Sequence, residues 1–228
     1  MTASELPTFR TLTVSVEGGL GRLTLDQPDR LNPIGSLALA ELVEAAAWLD
    51  GTGASVVIVG GAGRAFSAGF DLRELSAPPA DATDQAARTP ELGAAMAEAV
   101  AGMAAVTIAA VQGPCVGGGF VLALCCDLRV ATDDARFSLP EVELGIPLAW
   151  GGVPRLVREI GPARATELVL TCRRVPAEEA FRLGLLNRVV ATGQQQVAAE
   201  ELAATVLSRR PEVVATTKRQ VSDAAEAL

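Results

Sequence analysis

Residues 106–126 read Val-Thr-Ile-Ala-Ala-Val-Gln-Gly-Pro-Cys-Val-Gly-Gly-Gly-Phe-Val-Leu-Ala-Leu-Cys-Cys. Val106 to Val111 is an apolar run, the pattern of a strand covered on both faces. Gly113 and Pro114 turn the chain, the triplet Gly117-Gly118-Gly119 follows, and Phe120 to Cys126 is an apolar block of helical character. The stretch therefore reads strand, glycine corner, helix. A second corner repeats that order: Ser55 to Val59 is another buried strand, and Gly60 to Gly69 is a glycine-bearing loop within Arg64-Ala65-Phe66-Ser67-Ala68-Gly69-Phe70-Asp71-Leu72. Glycine lets the main chain approach a ligand closely, and the first N–H groups of a helix are unpaired and electropositive. Two such N–H groups aimed at one point make an oxyanion hole.

Working outward, residues 11–17 alternate as a half-buried strand, Gly18 to Gly21 turn, and Arg22 to Leu25 return as a hairpin. Ser36 is placed to cap a helix carrying Leu39, Leu42, Val43 and Ala46 at helical spacing, closed by Gly51 to Gly53. Residues 78–90, rich in Ala, Pro, Asp and Thr, read as a mobile insertion, and 91–105 as a helix. Short strands are expected at 128–131 and 135–138, a loop-rich stretch at 140–154, and helices at 155–160, 163–170, 176–183, 197–208 and 212–227. Alternation of strands and helices followed by a helical last third implies an α/β core with a helical C-terminal extension. The expected division is a core over 1–172 and a helical, subunit-packing region over 173–228.

The 228 residues carry 19 basic and 27 acidic side chains, a formal charge of −8, and a mean hydropathy of +0.33. That balance argues against nucleic acid or an anionic membrane as the main partner. The chain has no His, which excludes every Ser-His-Asp or Cys-His triad and the commonest metal ligand. Cys115, Cys125, Cys126 and Cys172 lack zinc-cage spacing and read as small buried hydrophobes, so no metal is expected. The N-terminus has no basic and apolar leader pattern, and no apolar run is long enough to span a bilayer. A soluble cytoplasmic protein is the expectation.

The segments Ala65 to Leu72, Val106 to Gly119, Cys126-Asp127 and Phe137-Ser138-Leu139-Pro140-Glu141-Val142-Glu143-Leu144-Gly145 resemble the crotonase (enoyl-CoA hydratase/isomerase) superfamily, from the first hairpin to about Val190. The resemblance implies a spiral of ββα turns and a homotrimer, often doubled to a hexamer. It implies acyl thioesters of coenzyme A as substrates, in fatty-acid metabolism, with no cofactor beyond the coenzyme A of the substrate itself. The oxyanion hole maps onto the backbone N–H groups of Phe70 and Gly118. Of the two positions that carry catalytic glutamates in the hydratases, one is Val121 here and the other is Glu141.

Two carboxylates serve hydration; one base suffices to move a double bond. Val121 with Glu141 therefore resembles the Δ3,Δ2-enoyl-CoA isomerases, and isomerisation is the favoured activity. A hydratase and a non-catalytic acyl-CoA-binding protein are the alternatives. Apolar neighbours such as Leu139, Ile146 and Trp150 are expected to raise the Glu141 pKa. Glu143 could replace Glu141 or simply pair with an Arg, and Ala149 disfavours the dehalogenase branch. Arg30, Arg64 and Arg73 flank the segments that line the nucleotide site in the family, and Leu31 and Ala68 offer main-chain groups to the coenzyme. Gly69, Asp71, Gly117, Val121 and Trp150 complete the expected substrate-binding set.

Overall fold

The structure, a computed structural model, describes residues 6–75 and 89–226. Most of the expected 78–90 insertion lies outside these residues. Strand β1 (Leu12–Glu17) pairs antiparallel with β2 (Leu20–Leu25). Gly18 and Gly19 alone make the turn, with φ of 57° and 82°, the left-handed pair that a tight hairpin requires. Gly21, expected in the turn, is already in β2 opposite Val16. A Cβ there would lie 2.9 Å from Leu49 and 3.0 Å from Val57, so this glycine answers to packing.

From β2 onward the larger sheet is parallel, adding β3 (Val56–Gly61) and β4 (Val106–Val111). The smaller sheet holds β5 (Pro114–Val116), while β6 (Leu128–Thr132) returns to the larger one beside β4. The smaller sheet is completed by β7 (Arg136–Ser138) and β8 (Val175–Pro176), and β9 (Arg188–Val190) closes the larger one against β6. Ser67 bridges to Cys115, and Cys115 pairs with Phe137. Successive turns thus step from the larger sheet to the smaller and then into helix, which is the ββα spiral expected from the sequence.

The helices are α1 (Ser36–Gly51), α2 (Leu72–Leu75), α3 (Thr89–Ala101), α4 (Gly118–Leu124), α5 (Gly152–Ile160), α6 (Pro162–Thr171), α7 (Ala177–Leu183), α8 (Gln195–Leu207) and α9 (Pro211–Glu226). Strand alternation sorts β3 between two layers. Val57 and Val59 pack with Leu39, Leu42 and Leu49 of α1. Val56 and Ile58 pack on the other face with Ala198, Ala199 and Ala203 of α8. That double cover explains the unbroken apolar run in the sequence. Beyond residue 172 the chain still supplies β8, β9 and this helical cover. Helix α9 is tied down by Lys218, whose Nζ lies 2.7 Å from the Ala105 carbonyl and 2.7 Å from Asp127.

The expected cap of α1 is corrected. Ser36 is the first helical residue, and the cap position belongs to Gly35. The Ser36 N–H donates to both oxygens of Glu74 at 3.0 and 3.1 Å, and its hydroxyl donates to the same carboxylate. A carboxylate from α2 therefore does what a cap side chain would do, with the added attraction of a helix N-terminus for negative charge. Among the described residues no helix is long and apolar enough to cross a membrane.

Candidate active site

The two glycine corners lie against one another. The Phe66 N–H donates to the Gln112 carbonyl at 2.8 Å, and the Ser67 N–H to that of Pro114 at 3.1 Å. The Val116 N–H donates back to the Ser67 carbonyl at 3.0 Å. At Gly69, with φ of 89°, a Cβ would sit 2.6 Å from the Val116 carbonyl oxygen and 3.6 Å from the Gly117 Cα. At Gly119 a Cβ would sit 2.7 Å from the Ser67 Oγ. Only glycines let these main chains approach so closely.

Each corner presents an N–H group. The Ile34 N–H donates to the Gly69 carbonyl at 2.8 Å, a bond that leaves the Phe70 N–H uninvolved. In α4 the first intrahelical bond runs from the Val121 N–H to the Gly117 carbonyl at 3.0 Å. The Gly118 N–H precedes it and belongs to the helix start, where donors have no partner within the helix. Gly117, with φ of 51° and ψ of −122°, sets the direction of that start.

Glu141 stands over this second corner. Its Oε1 is 2.8 Å from where a Gly117 Cβ would be. Its Oε2 is buried and has no hydrogen-bond partner. Burial pushes the Glu141 carboxyl above its ordinary pKa, the direction expected, although Ile146, one of the neighbours expected to cause it, is exposed. An unpartnered buried oxygen costs stability, and Glu141 shares this state with Gln195 Oε1, so it is the place of Glu141 beside the glycine corner that marks it. Glu143, two residues on, is exposed. Val121 is buried, and its Cγ2 lies 2.9 Å from the position of a Gly152 Cβ, so the place of a second carboxylate is filled by packed hydrocarbon. Trp150 lies over Gly118 and against the ring of Phe70, centroids 6.2 Å apart and nearly perpendicular.

Phe70 also lines a pocket of about 320 Å³, with Arg30, Pro33, Ala68, Asp71 and Arg73 among others. Arg30 pairs with Asp71 and also donates to the Gln27 side chain at 3.1 Å. The Leu31 carbonyl accepts the Ala68 N–H at 2.8 Å, which occupies both of these main-chain groups in holding the pocket wall. Arg64 and Arg73 are exposed. The structure thus gathers Phe70, Gly117, Gly118, Glu141, Val121 and Trp150 at one place, and Arg30, Ala68 and Asp71 around the adjoining pocket, with Leu31 behind Ala68 and not among the lining residues.

Sequence reasoning missed the side chains that brace the first corner. Buried Asn32 donates to the carbonyls of Ala62 and Ala65 at 2.9 Å each and accepts the Gln27 N–H at 2.9 Å. The Ser67 hydroxyl donates to the Asn32 carbonyl at 2.7 Å and accepts the Gly69 N–H at 3.1 Å. Gln112 donates to the Gly61 carbonyl at 2.5 Å. Their only signal is a polar residue set among apolar neighbours. Cys115, Cys125 and Cys126 are buried with their thiol pKa values raised by burial, Cys125 to about 11.

A strand-corner-helix spiral in which two glycine corners pack together beside one half-buried carboxylate defines the class. The sequence profile of the enoyl-CoA hydratase/isomerase family matches residues 15–228, and the chain belongs to that family, within the crotonase superfamily. It is 36% identical over 220 residues to a probable enoyl-CoA hydratase of Mycobacterium bovis, covering 96% of this chain and 84% of that one. It is 32% identical over 208 residues to a short-chain-enoyl-CoA hydratase of Clostridium acetobutylicum, covering 90% and 78%. An enoyl-CoA hydratase subunit from Geobacillus kaustophilus superposes with a TM-score of 0.86 at 35% identity, covering 96% and 84%.

Proposed function

We propose that this member of the family converts 3-enoyl-CoA into 2-enoyl-CoA with Glu141 as its one base. The observation that carries the reading is the pairing of a buried, unpartnered Glu141 oxygen with a packed Val121 where hydration would want a second carboxylate. In this mechanism the thioester oxygen accepts the N–H groups of Phe70 and Gly118. Glu141 removes a proton from C2, and the electron pair moves through C1 onto that oxygen. The dienolate then collapses: the carbonyl re-forms, the π bond settles between C2 and C3, and C4 takes the proton back from Glu141. The two amides stabilise the enolate, each worth about 2.7–4 kcal/mol at such a site. Desolvation suits the carboxyl to both tasks by bringing its pKa toward neutrality.

The coenzyme would leave toward the pocket of Arg30 and Asp71, its negative charge drawing Arg30 away from Asp71. No group beyond that coenzyme A is needed. The second reading is hydration of 2-enoyl-CoA, favoured by the hydratase names of the relatives. Pure protein incubated separately with 3-enoyl-CoA and 2-enoyl-CoA separates the two. Conversion of the first, abolished in Glu141→Gln, supports isomerisation. Water addition to the second would replace it with hydration, and tight binding with neither reaction would leave a binding protein.

We also read the exposed Val142, Leu144, Ile146 and Val153, together with Val213 and Val221 of α9, as faces for self-association into trimers. Light scattering that finds a monomer at working concentration refutes this.

A further inference from the structure

Trp150 is built into the site at visible cost. Its φ is 56°, a conformation that a bulky residue rarely adopts and that is retained only where the surroundings enforce it. Two glycines make room for its indole. One is Gly118 at the start of α4; the other is Gly93, inside α3, where a Cβ would fall within the indole itself. Glycine inside a helix costs about 1 kcal/mol relative to alanine. A third surface, the Phe70 ring, meets the indole edge to face. The indole is therefore wedged among α3, α4 and the first corner, against both Phe70 and Gly118, whose amides the proposed mechanism gives to the thioester oxygen.

A thioester held at those amides has two arms. The pocket of Arg30 and Asp71, which Phe70 lines and Trp150 does not, carries the guanidinium that suits the anionic coenzyme arm. The acyl arm is left with the side that Trp150 fills. We propose that Trp150 is the residue that limits chain length, so that the site accepts short acyl groups and turns away long ones. The inference rests on the acyl-CoA reading above and adds its specificity.

Titration calorimetry with the saturated, unreactive butyryl-, hexanoyl-, octanoyl- and dodecanoyl-CoA tests it without turnover. In the wild-type protein, affinity should stop rising, or fall, beyond the shortest chains. In Trp150→Ala it should keep rising, by about fourfold for each methylene that finds apolar room. Trp150→Phe, which keeps a ring in place, should move the limit by less and guards against a variant that does not fold. Trp48 is the other tryptophan. A Trp48→Phe background therefore reports on Trp150 alone, and butyryl-CoA should change its emission. Affinity that climbs equally with length in wild type and both variants overturns the role of Trp150 while leaving the acyl-CoA reading intact. Failure of every acyl-CoA to bind the folded wild-type protein overturns both.

Discussion

The two corners that frame the site are held by different means. The first, around Gly69 and Phe70, is held by side chains: Ser67, Asn32 and Gln112 place their hydrogen bonds on its carbonyls, and Arg30 pins Asp71. The second, around Gly117 and Gly118, is held by shape. Its Gly117 N–H joins the ladder through the Ser138 carbonyl at 2.8 Å, and its glycines are pressed by Glu141 and Trp150. The first corner also needs glycine at Gly69, but the side-chain bonds that brace it weaken by degrees as they are removed. A corner made by steric exclusion fails at the first added methyl.

The largest effect should come from that methyl. Gly118→Ala would put a Cβ into the Trp150 ring and push apart the wall that faces the thioester. Turnover should fall by about 10²–10³, the value of one oxyanion donor, while circular dichroism stays native. The matching break in the first corner is Asn32→Ala. It strips a buried side chain of its bonds to Ala62, Ala65 and Gln27, at a residue with φ of 54° that Asn tolerates better than Ala. Stability should drop by about 2–3 kcal/mol in urea unfolding. Loss of turnover without loss of stability in Asn32→Ala would erase the distinction between the corners.

Much of this was legible beforehand, and unevenly. Val106–Val111 matches β4 residue for residue because a doubly covered strand leaves a continuous apolar imprint. Pro114–Val116 and Arg188–Val190 left none: these two short strands are made by their neighbours' register, whereas the equally short Arg136–Ser138 was read from its own residues. The α1 cap was misread because Glu74, its true partner, lies 38 positions away. At the site, the family resemblance pointed to Phe70 and Gly118 through their main-chain N–H groups and to Glu141 through its Pro-Glu step. Asn32, Ser67 and Gln112 stayed hidden, since their role exists only once the loops are folded together.

Smaller changes sharpen the comparison. Ser67→Ala removes one buried donor at the seam between the corners and should cost about 1 kcal/mol. A large drop would mean that the hydroxyl, and not the glycines, sets their spacing.

The smallest effect concerns the charge that the second corner tolerates. Burial raises the Glu141 pKa in the folded protein, so folding favours the protonated form. The sign follows: the stabilisation is whole below the unfolded carboxyl pKa and is lost as pH climbs through the raised folded value. At neutral pH the ionised, unpartnered oxygen is a burden, and Glu141→Gln should relieve it by about 1 kcal/mol. Thermal melts of the two proteins should separate at neutral pH, with the variant higher, and converge toward acid pH. In the proposed reaction turnover moves oppositely, because Glu141 would have to be ionised to accept the C2 proton, so the acid limb should lie above the ordinary glutamate range. Coincident melts at every pH would mean that the carboxylate is well solvated, and the steric account of the second corner would lose the residue it was built to hold.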